Sequence, residues 1–266
     1  MSESTNHNFE RIVAFIDILG TSETLMHGTE EQINQYVRGI EGLYSKIRDD
    51  LPIEGLKMFS DNILIYTDGT SAENIESLIE SVASIQLYLL QEFGLFIRGG
   101  VVVGVLNHIP TDADDFIVGK AIVDAHYLES NVAIYPRVVV SKDVLEIYDA
   151  GSDSMPFVRG DWDVPFIDYL QYAEADGFVD TKQLQAHRKA LIEHIEHDNK
   201  MVDCSPDRWD RIRNKDLWAL SYHNDYCKTN DMGEYSINFI EEYSNDVQKI
   251  IINIDDRGME AIDSGF

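Results

Sequence analysis

RIVAFIDILG, residues 11–20, reads as an apolar strand that delivers a single carboxylate, Asp17, into a glycine-containing turn. An almost unbroken apolar run of this length suits a strand buried on both faces. An Asp at the end of such a strand is costly unless it binds a cation or accepts hydrogen bonds. A second carboxylate stands in KMFSDNILIY, residues 57–66, where Ser60-Asp61-Asn62 separates two strand-like runs and predicts a tight hairpin. Asp17 and Asp61 are 44 residues apart in sequence, and the functional reading turns on whether they meet in space.

Outward from these stretches the hydrophobic period alternates between strand and helix. Residues 29–50 place Ile33, Tyr36, Val37, Ile40, Leu43, Tyr44 and Ile47 on one helical stripe, with Thr29 and two glutamates at its start. Residues 71–91 repeat the pattern through Ile75, Leu78, Ile79, Val82, Ile85 and Leu89. LFIRGGVVVGV, 95–105, is a strand in which Gly99-Gly100 marks a bulge or a close approach of backbone or ligand. Residues 107–115 are polar and loop-like, a helix is expected over 119–129, and a strand over 137–141. The order β-α-β-β-α-β is the ferredoxin-like signature, with the first strand central and the hairpin turn beside its C-terminal end. Asp17 and Asp61 are then neighbours.

The predicted fold class is therefore α/β (α+β), a ferredoxin-like βαββαβ core at 11–145. A disordered arm at 1–10 precedes it, and a mainly helical extension at 146–266 follows, packed on the core or on a partner chain. That extension opens with a short helix at 141–148 and a Gly/Asp/Pro-rich connection at 151–163, and has helices at 182–199 and 206–228.

The net charge of −27, from 21 basic against 48 acidic side chains, argues against polymeric nucleic acid as a partner. A small phosphorylated ligand remains compatible with it where a divalent cation screens the site. Cys204 and Cys227 are the only cysteines, so neither a disulfide framework nor a Cys-based metal site is expected. The opening MSESTNHNFE is unlike a targeting peptide, and no apolar run reaches the roughly 20 residues that span a bilayer. A cytoplasmic location without a membrane partner is expected.

Two carboxylates within a few ångströms repel each other unless one is protonated or a cation lies between them. A pair of Mg²⁺ or Mn²⁺ ions is the usual arrangement where phosphate chemistry is done. The alternative is that Asp17 caps the next helix and Asp61 is an ordinary hairpin-turn residue. Arg98, the lone charge of its strand, needs an anion, either a substrate phosphate or one of the chain's own acids. Phe116 reads as core, and Asp124 and His126 as surface helix residues. His223-Asn224-Asp225, being adjacent on a helix, do not share a face and are assigned no chemistry.

FIDILGTSETL at 15–25 and KMFSDNILIY at 57–66 resemble the two metal-binding motifs of the class III nucleotide cyclases. IRGGVVVGV resembles the fourth strand of that catalytic core, and GKAIVDAHYLES the helix that carries residues from the partner subunit. The resemblance covers about residues 10–145. It implies that Asp17 and Asp61 hold two divalent ions per site, Mn²⁺ or Mg²⁺, with the Ile18 carbonyl as a further ligand. It further implies that the N–H groups of Leu19, Gly20 and Thr21 cradle the β- and γ-phosphates. Lys57 would read the base, the alternative being a solvated strand-end lysine, and Arg98 would contact phosphate or the transition state. Two chains would form a homodimer with its active sites at the interface. The sequence departs from adenylyl cyclases where these carry Asn and Arg four residues apart: Val123 and Tyr127 stand there, and Phe116 occupies a second base-reading position.

FIDILG, the FSD hairpin, GKA-x₃-A-x₂-LES, YPRVVVS at 135–141 and LWALSYHNDYC at 217–227 also resemble the pyrimidine cyclases of the Pycsar antiphage system. That likeness implies conversion of UTP or CTP to the 3′,5′-cyclic mononucleotide and pyrophosphate, a second messenger read by a separate effector protein. UTP is favoured because Lys57 can donate to a uracil carbonyl but offers no acceptor to a cytosine amino group. The alternatives are a catalytically inactive nucleotide-sensing module and an atypical adenylyl cyclase.

Overall fold

The computed structural model describes residues 9–51, 53, 55–109, 116–148, 158–159, 164–172, 174–175, 178–199, 205–244 and 247–253. Residues 1–8 of the arm expected at 1–10, residues 110–115 of the loop expected at 107–115, most of the connection at 151–163 and Cys204 lie outside them, while Glu10, expected in the arm, begins the first strand. The chain forms two compact units, Met1–Leu89 with Leu95–Tyr172 and Leu90–Gly94 with Ala173–Phe266.

The first unit contains β1 (Glu10–Ile18), α1 (Thr21–His27), α2 (Glu30–Asp50), β2 (Gly55–Phe59), β3 (Asn62–Tyr66) and most of α3 (Ala72–Phe93). It continues with β4 (Ile97–Val105), β5 (Asn107–Ile109), β6 (Phe116–Val118), α4 (Lys120–Asn131), β7 (Val138–Val140) and α5 (Lys142–Tyr148). Two-residue strands β8 (Val158–Arg159) and β9 (Phe166–Ile167) and the turn of helix α6 (Tyr169–Tyr172) close it. The main sheet has seven strands in the order β2-β3-β1-β4-β7-β9-β8. Its first four strands follow the ferredoxin-like arrangement, with β1 antiparallel to both β3 and β4.

Register places side chains in rows across one face of this sheet. Lys57, Leu64, Phe15 and Gly100 form one row, and Phe59, Asn62, Asp17 and Arg98 the next. Helix α4 lies directly on this face. A Cβ on Gly100 would stand 2.5 Å from Leu128 Cβ and 2.7 Å from the Ala125 carbonyl oxygen, so only glycine admits the helix there. The matching stripe on α4 is Ala121, Ala125 and Glu129, buried at i, i+4 spacing. Val13, Phe15, Leu64, Tyr66, Val102 and Leu106 complete the core between them. Residues of opposite parity, Ile12, Ala14, Ile16, Ile63, Ile65 and Val101, are also fully buried, as a strand covered on both sides requires.

Several local expectations change. The stripe of α2 is narrower than its spacing suggests, with Tyr36, Leu43 and Ile47 buried but Val37 and Tyr44 exposed. Thr29 starts that helix through a capping box: its hydroxyl accepts from the Gln32 N–H, and Gln32 Oε1 accepts from the Thr29 N–H. Residues 107–109 are not loop but pair with 116–118 as a short antiparallel ribbon. Phe116, read as core, is 58% exposed, because a two-stranded ribbon off the main sheet has no second layer to bury it. The short strands β8 and β9 and helix α1 were too brief to show a period.

The second unit contains β10 (Glu174–Ala175) paired with β11 (Phe178–Val179), α7 (Thr181–Asp198), α8 (Pro206–Thr229), a 3₁₀ turn (Gly233–Tyr235), and the hairpin β12 (Asn238–Ser244)–β13 (Val247–Asn253). Asp180 caps α7 by accepting from the Lys182 and Gln183 N–H groups. Asn224 on α8 pins the chain after the 3₁₀ turn, donating to the Ile237 carbonyl and accepting from the Ile237 N–H. The sequence reading did not foresee the β12–β13 hairpin. Among the described residues no helix is long and apolar enough to cross a membrane.

Candidate active site

The end of β1 and the β2–β3 turn are joined through the main chain. The Ile18 N–H donates to the Asp61 carbonyl oxygen at 3.0 Å. The N–H and C=O of one strand residue point to the same edge, so the Ile18 carbonyl also opens toward Asp61. Asp17 faces Asn62, whose side-chain amide donates to Asp61 Oδ1 at 3.0 Å. The turn is formed by Ser60 in the left-handed region, at φ 58°. Asp17 and Asp61 are thus neighbours, close enough for the Asp61 charge to raise the pKa of Asp17.

Asp17 Oδ2 accepts from Arg98 Nε at 3.1 Å. The same nitrogen is 2.7 Å from Glu129 Oε1, yet that oxygen makes no hydrogen bond. The N–H is aimed at Asp17, so the contact with Glu129 is an ion pair without hydrogen-bond alignment. Glu129 Oε2 instead accepts from the Ser130 hydroxyl at 2.6 Å. Burial raises the Asp17 pKa from its ordinary value, Arg98 pulls it back, and Glu129 and Asp61 push it up again. Arg98 therefore meets its anion in two acids of its own chain, while its terminal Nη groups make no hydrogen bond among the described residues.

The turn after β1 is held from below. Gly20 adopts φ 84°, a left-handed conformation that suits glycine. The Thr21 hydroxyl donates to the Ile18 carbonyl at 2.9 Å, which leaves the Tyr36 hydroxyl, 3.1 Å away, as donor to Thr21. Burial raises the pKa of Tyr36, and the charges of Asp61 and Asp17 add to it. The Leu19 N–H donates to the Phe96 carbonyl at 2.8 Å, because the β1–β4 ladder runs past Asp17. This corrects the expectation for Leu19, whose N–H is spent on the sheet. Among the described residues the N–H groups of Gly20 and Thr21 meet no protein acceptor.

Lys57 lies one row from Asp17 on the same sheet face. Val123 and Tyr127, a turn apart on α4, are 66% and 61% exposed. Asp124 pairs with Lys120, and the His126 ring meets Phe15 edge-on at 5.1 Å, both on the helix surface as expected. The donor groups at the β1 end are all oxygen: two carboxylates, one of them destabilised as an anion by burial, and a carbonyl with lone-pair capacity left beside one hydroxyl. This set fits a hard divalent cation. Sequence reasoning missed Glu129, Tyr36 and Asn62. Glu129 had a signal, the small-residue stripe Ala121-Ala125 that it extends by one turn.

No family model matches the sequence, and no curated protein matches it. Solved structures similar to the chain include nucleotide cyclase domains. The adenylyl cyclase CyaB from P. aeruginosa is 15% identical, with 59% of this chain and 91% of that chain covered and a TM-score of 0.40. The monomeric guanylyl cyclase domain of the RhoGC fusion protein from Blastocladiella emersonii is 16% identical over 53% of this chain and 86% of that one, at a TM-score of 0.45. The guanylate cyclase domain of RhGC from Catenaria anguillulae in complex with GTP is 14% identical over 60% and 93%, at 0.45.

Proposed function

We propose that the chain is a metal-dependent cyclase that converts a pyrimidine nucleoside triphosphate, UTP in preference to CTP, to the 3′,5′-cyclic mononucleotide and pyrophosphate. The observation that carries this reading is the junction of Asp17 and Asp61 through the Ile18–Asp61 bond. The motif resemblance supplies the chemistry. Asp17, Asp61 and the Ile18 carbonyl would hold Mg²⁺ or Mn²⁺, which when bound screens the triphosphate and lowers the pKa of the ribose 3′-hydroxyl.

The chain's own residues position the substrate. Arg98 fixes the Asp17 carboxylate through Nε and offers its Nη groups to a phosphate. The N–H groups of Gly20 and Thr21 donate to further phosphate oxygens, and Tyr36 holds their turn rigid. Lys57, about 7 Å back along the strand direction from the Asp17 row, donates to a uracil carbonyl. Catalysis then rests on positioning and electrostatics. The core at 11–145 pairs with a second copy as a homodimer. Exposed Ile109, Phe116, Val118, Val123 and Tyr127 offer an apolar face for it. The cyclic product acts as a second messenger in antiphage defence, read by a separate effector.

A second reading, an inactive nucleotide-sensing module, is favoured by Val123 and Tyr127, which present no amide or guanidinium to a transition state. The test is product analysis. Pure protein with Mn²⁺ is given ATP, GTP, CTP and UTP separately, and products are chromatographed against authentic cyclic mononucleotides, with Asp61→Ala alongside. Cyclic UMP that disappears in the variant is the expected result. Cyclic AMP alone would make the chain an atypical adenylyl cyclase, and no product from folded protein would leave the sensing module.

A further inference from the structure

We propose that His194, Asp198 and Asp216 form a separate cation site that takes Zn²⁺, clamping α7 to α8 within the second unit. The site shares no residue with the Asp17–Asp61 junction. His194 and Asp198 are four residues apart on α7 and so share a face, and Asp216 comes from α8. Their ligand atoms all lie within 4.8 Å of one another. His194 Nε2 is 3.4 Å from Asp198 Oδ2 and 3.8 Å from Asp216 Oδ1. Two metal–ligand bonds of about 2.0–2.1 Å meeting at a tetrahedral angle put their donor atoms about 3.4 Å apart.

The orientation of His194 is that of a ligand. Its Nδ1 lies 3.2 Å from the Gly94 carbonyl oxygen, which can only accept, so Nδ1 carries the proton. That bond fixes the tautomer and turns Nε2 toward the two carboxylates, the arrangement that supports metal-bound histidines.

Asp216 is the second and independent observation. Its side chain is only 3% exposed, it makes no hydrogen bond among the described residues, and His194 Nε2 stands 3.8 Å from its Oδ1. A buried acid without a hydrogen bond is a group awaiting a partner. One imidazole and two carboxylates suit a borderline divalent ion, with water in the remaining positions.

Zinc uptake tests the site. Full-length D17N/D61N protein, stripped by chelation, is titrated with Zn²⁺ alone, then gel-filtered for metal analysis and melted. About one Zn²⁺ per chain and a Tm higher by several degrees are expected, because binding to the folded state alone stabilises it. D216N on the same background should weaken uptake at least about 100-fold, and H194Q should do the same. H194Q serves if D216N does not fold. Folded protein that retains no zinc, or uptake unchanged by both substitutions, would overturn the proposal.

Discussion

Arg98 Nε lies 3.1 Å from Asp17 Oδ2 while the same nitrogen stands 2.7 Å from Glu129 Oε1. One guanidinium on β4 thereby balances an acid on β1 and an acid on α4. The pairing ties the candidate site to the packing of that helix.

Removing the guanidinium leaves two largely buried acids facing each other. Arg98→Ala is expected to lower stability at pH 7 by roughly 2–4 kcal/mol, below the full cost of a broken interior pair because Arg98 is partly solvated. Arg98→Lys should restore part of it, since the charge returns without the planar fork. Urea denaturation measures both, and an Ala variant as stable as the parent would show that the ion pairs contribute nothing.

Asp17 carries the opposite signature. Its folded pKa is raised above 3.8, so the folded chain holds that proton more tightly than the unfolded one. Its contribution to stability therefore falls as pH rises from 3.8 through the folded pKa. Asp17→Asn should melt higher than the parent at pH 7, and the gap should close on acidification. The same substitution should abolish cyclic nucleotide formation, at least about 100-fold. A variant that loses Tm and activity together would indicate misfolding rather than a lost ligand.

The β1 and β2–β3 motifs made the heart of the fold legible, because an apolar run interrupted by one Asp permits few environments. Their adjacency followed from element order alone. What sequence could not show depends on close approach across the sheet. Gly99-Gly100 reads as a bulge or a close approach, and the structure shows the close approach, but only the fold reveals that the Ala125 carbonyl and Leu128 make it and so bring Glu129 to Arg98. Leu19 looked free to bind phosphate until the ladder register committed its N–H to Phe96. Phe116 carries the hydrophobicity of a core residue, and only the topology of its ribbon shows why it is left 58% exposed.

Gly100→Ala tests that close approach. The added methyl would meet Leu128 Cβ at 2.5 Å and backbone oxygen at 2.7 Å, contacts that force α4 outward. A loss of about 2–3 kcal/mol is expected, as for overpacking in a core. Product formation should fall with it, because Glu129 and Arg98 separate. Thermal melts and turnover at a temperature where the variant remains folded distinguish the two effects.

His187 and His223 predict an acid limit in the second unit. His223 Nε2 donates to the Tyr235 carbonyl at 3.0 Å, so its bare Nδ1 accepts from His187 Nδ1 at 2.9 Å. Burial lowers both pKa values, that of His223 from 6.5 to about 4. The unfolded chain then binds protons that the folded chain refuses, so stability is full above pH 6.5 and lost as pH falls toward 4. His223 alone accounts for on the order of 3 kcal/mol of that loss. His187→Leu/His223→Gln should flatten the pH dependence of urea stability across this window. An unchanged slope would assign the acid sensitivity elsewhere.

The exposed positions on α4 decide whether the site is shared between two chains. Val123 and Tyr127 are 66% and 61% exposed and stand one turn apart, so acidic substitutions there meet solvent and no core. Val123→Asp/Tyr127→Asp should each cost within about 0.5 kcal/mol of monomer stability. Across a homodimer interface the same charges would be buried, at a cost large enough to separate the subunits. Light scattering coupled to size exclusion should then find a dimer for the parent and a folded monomer for the variant, with cyclic nucleotide formation lost. A dimer that persists with full activity would remove this face from the interface and leave each chain to complete its own site.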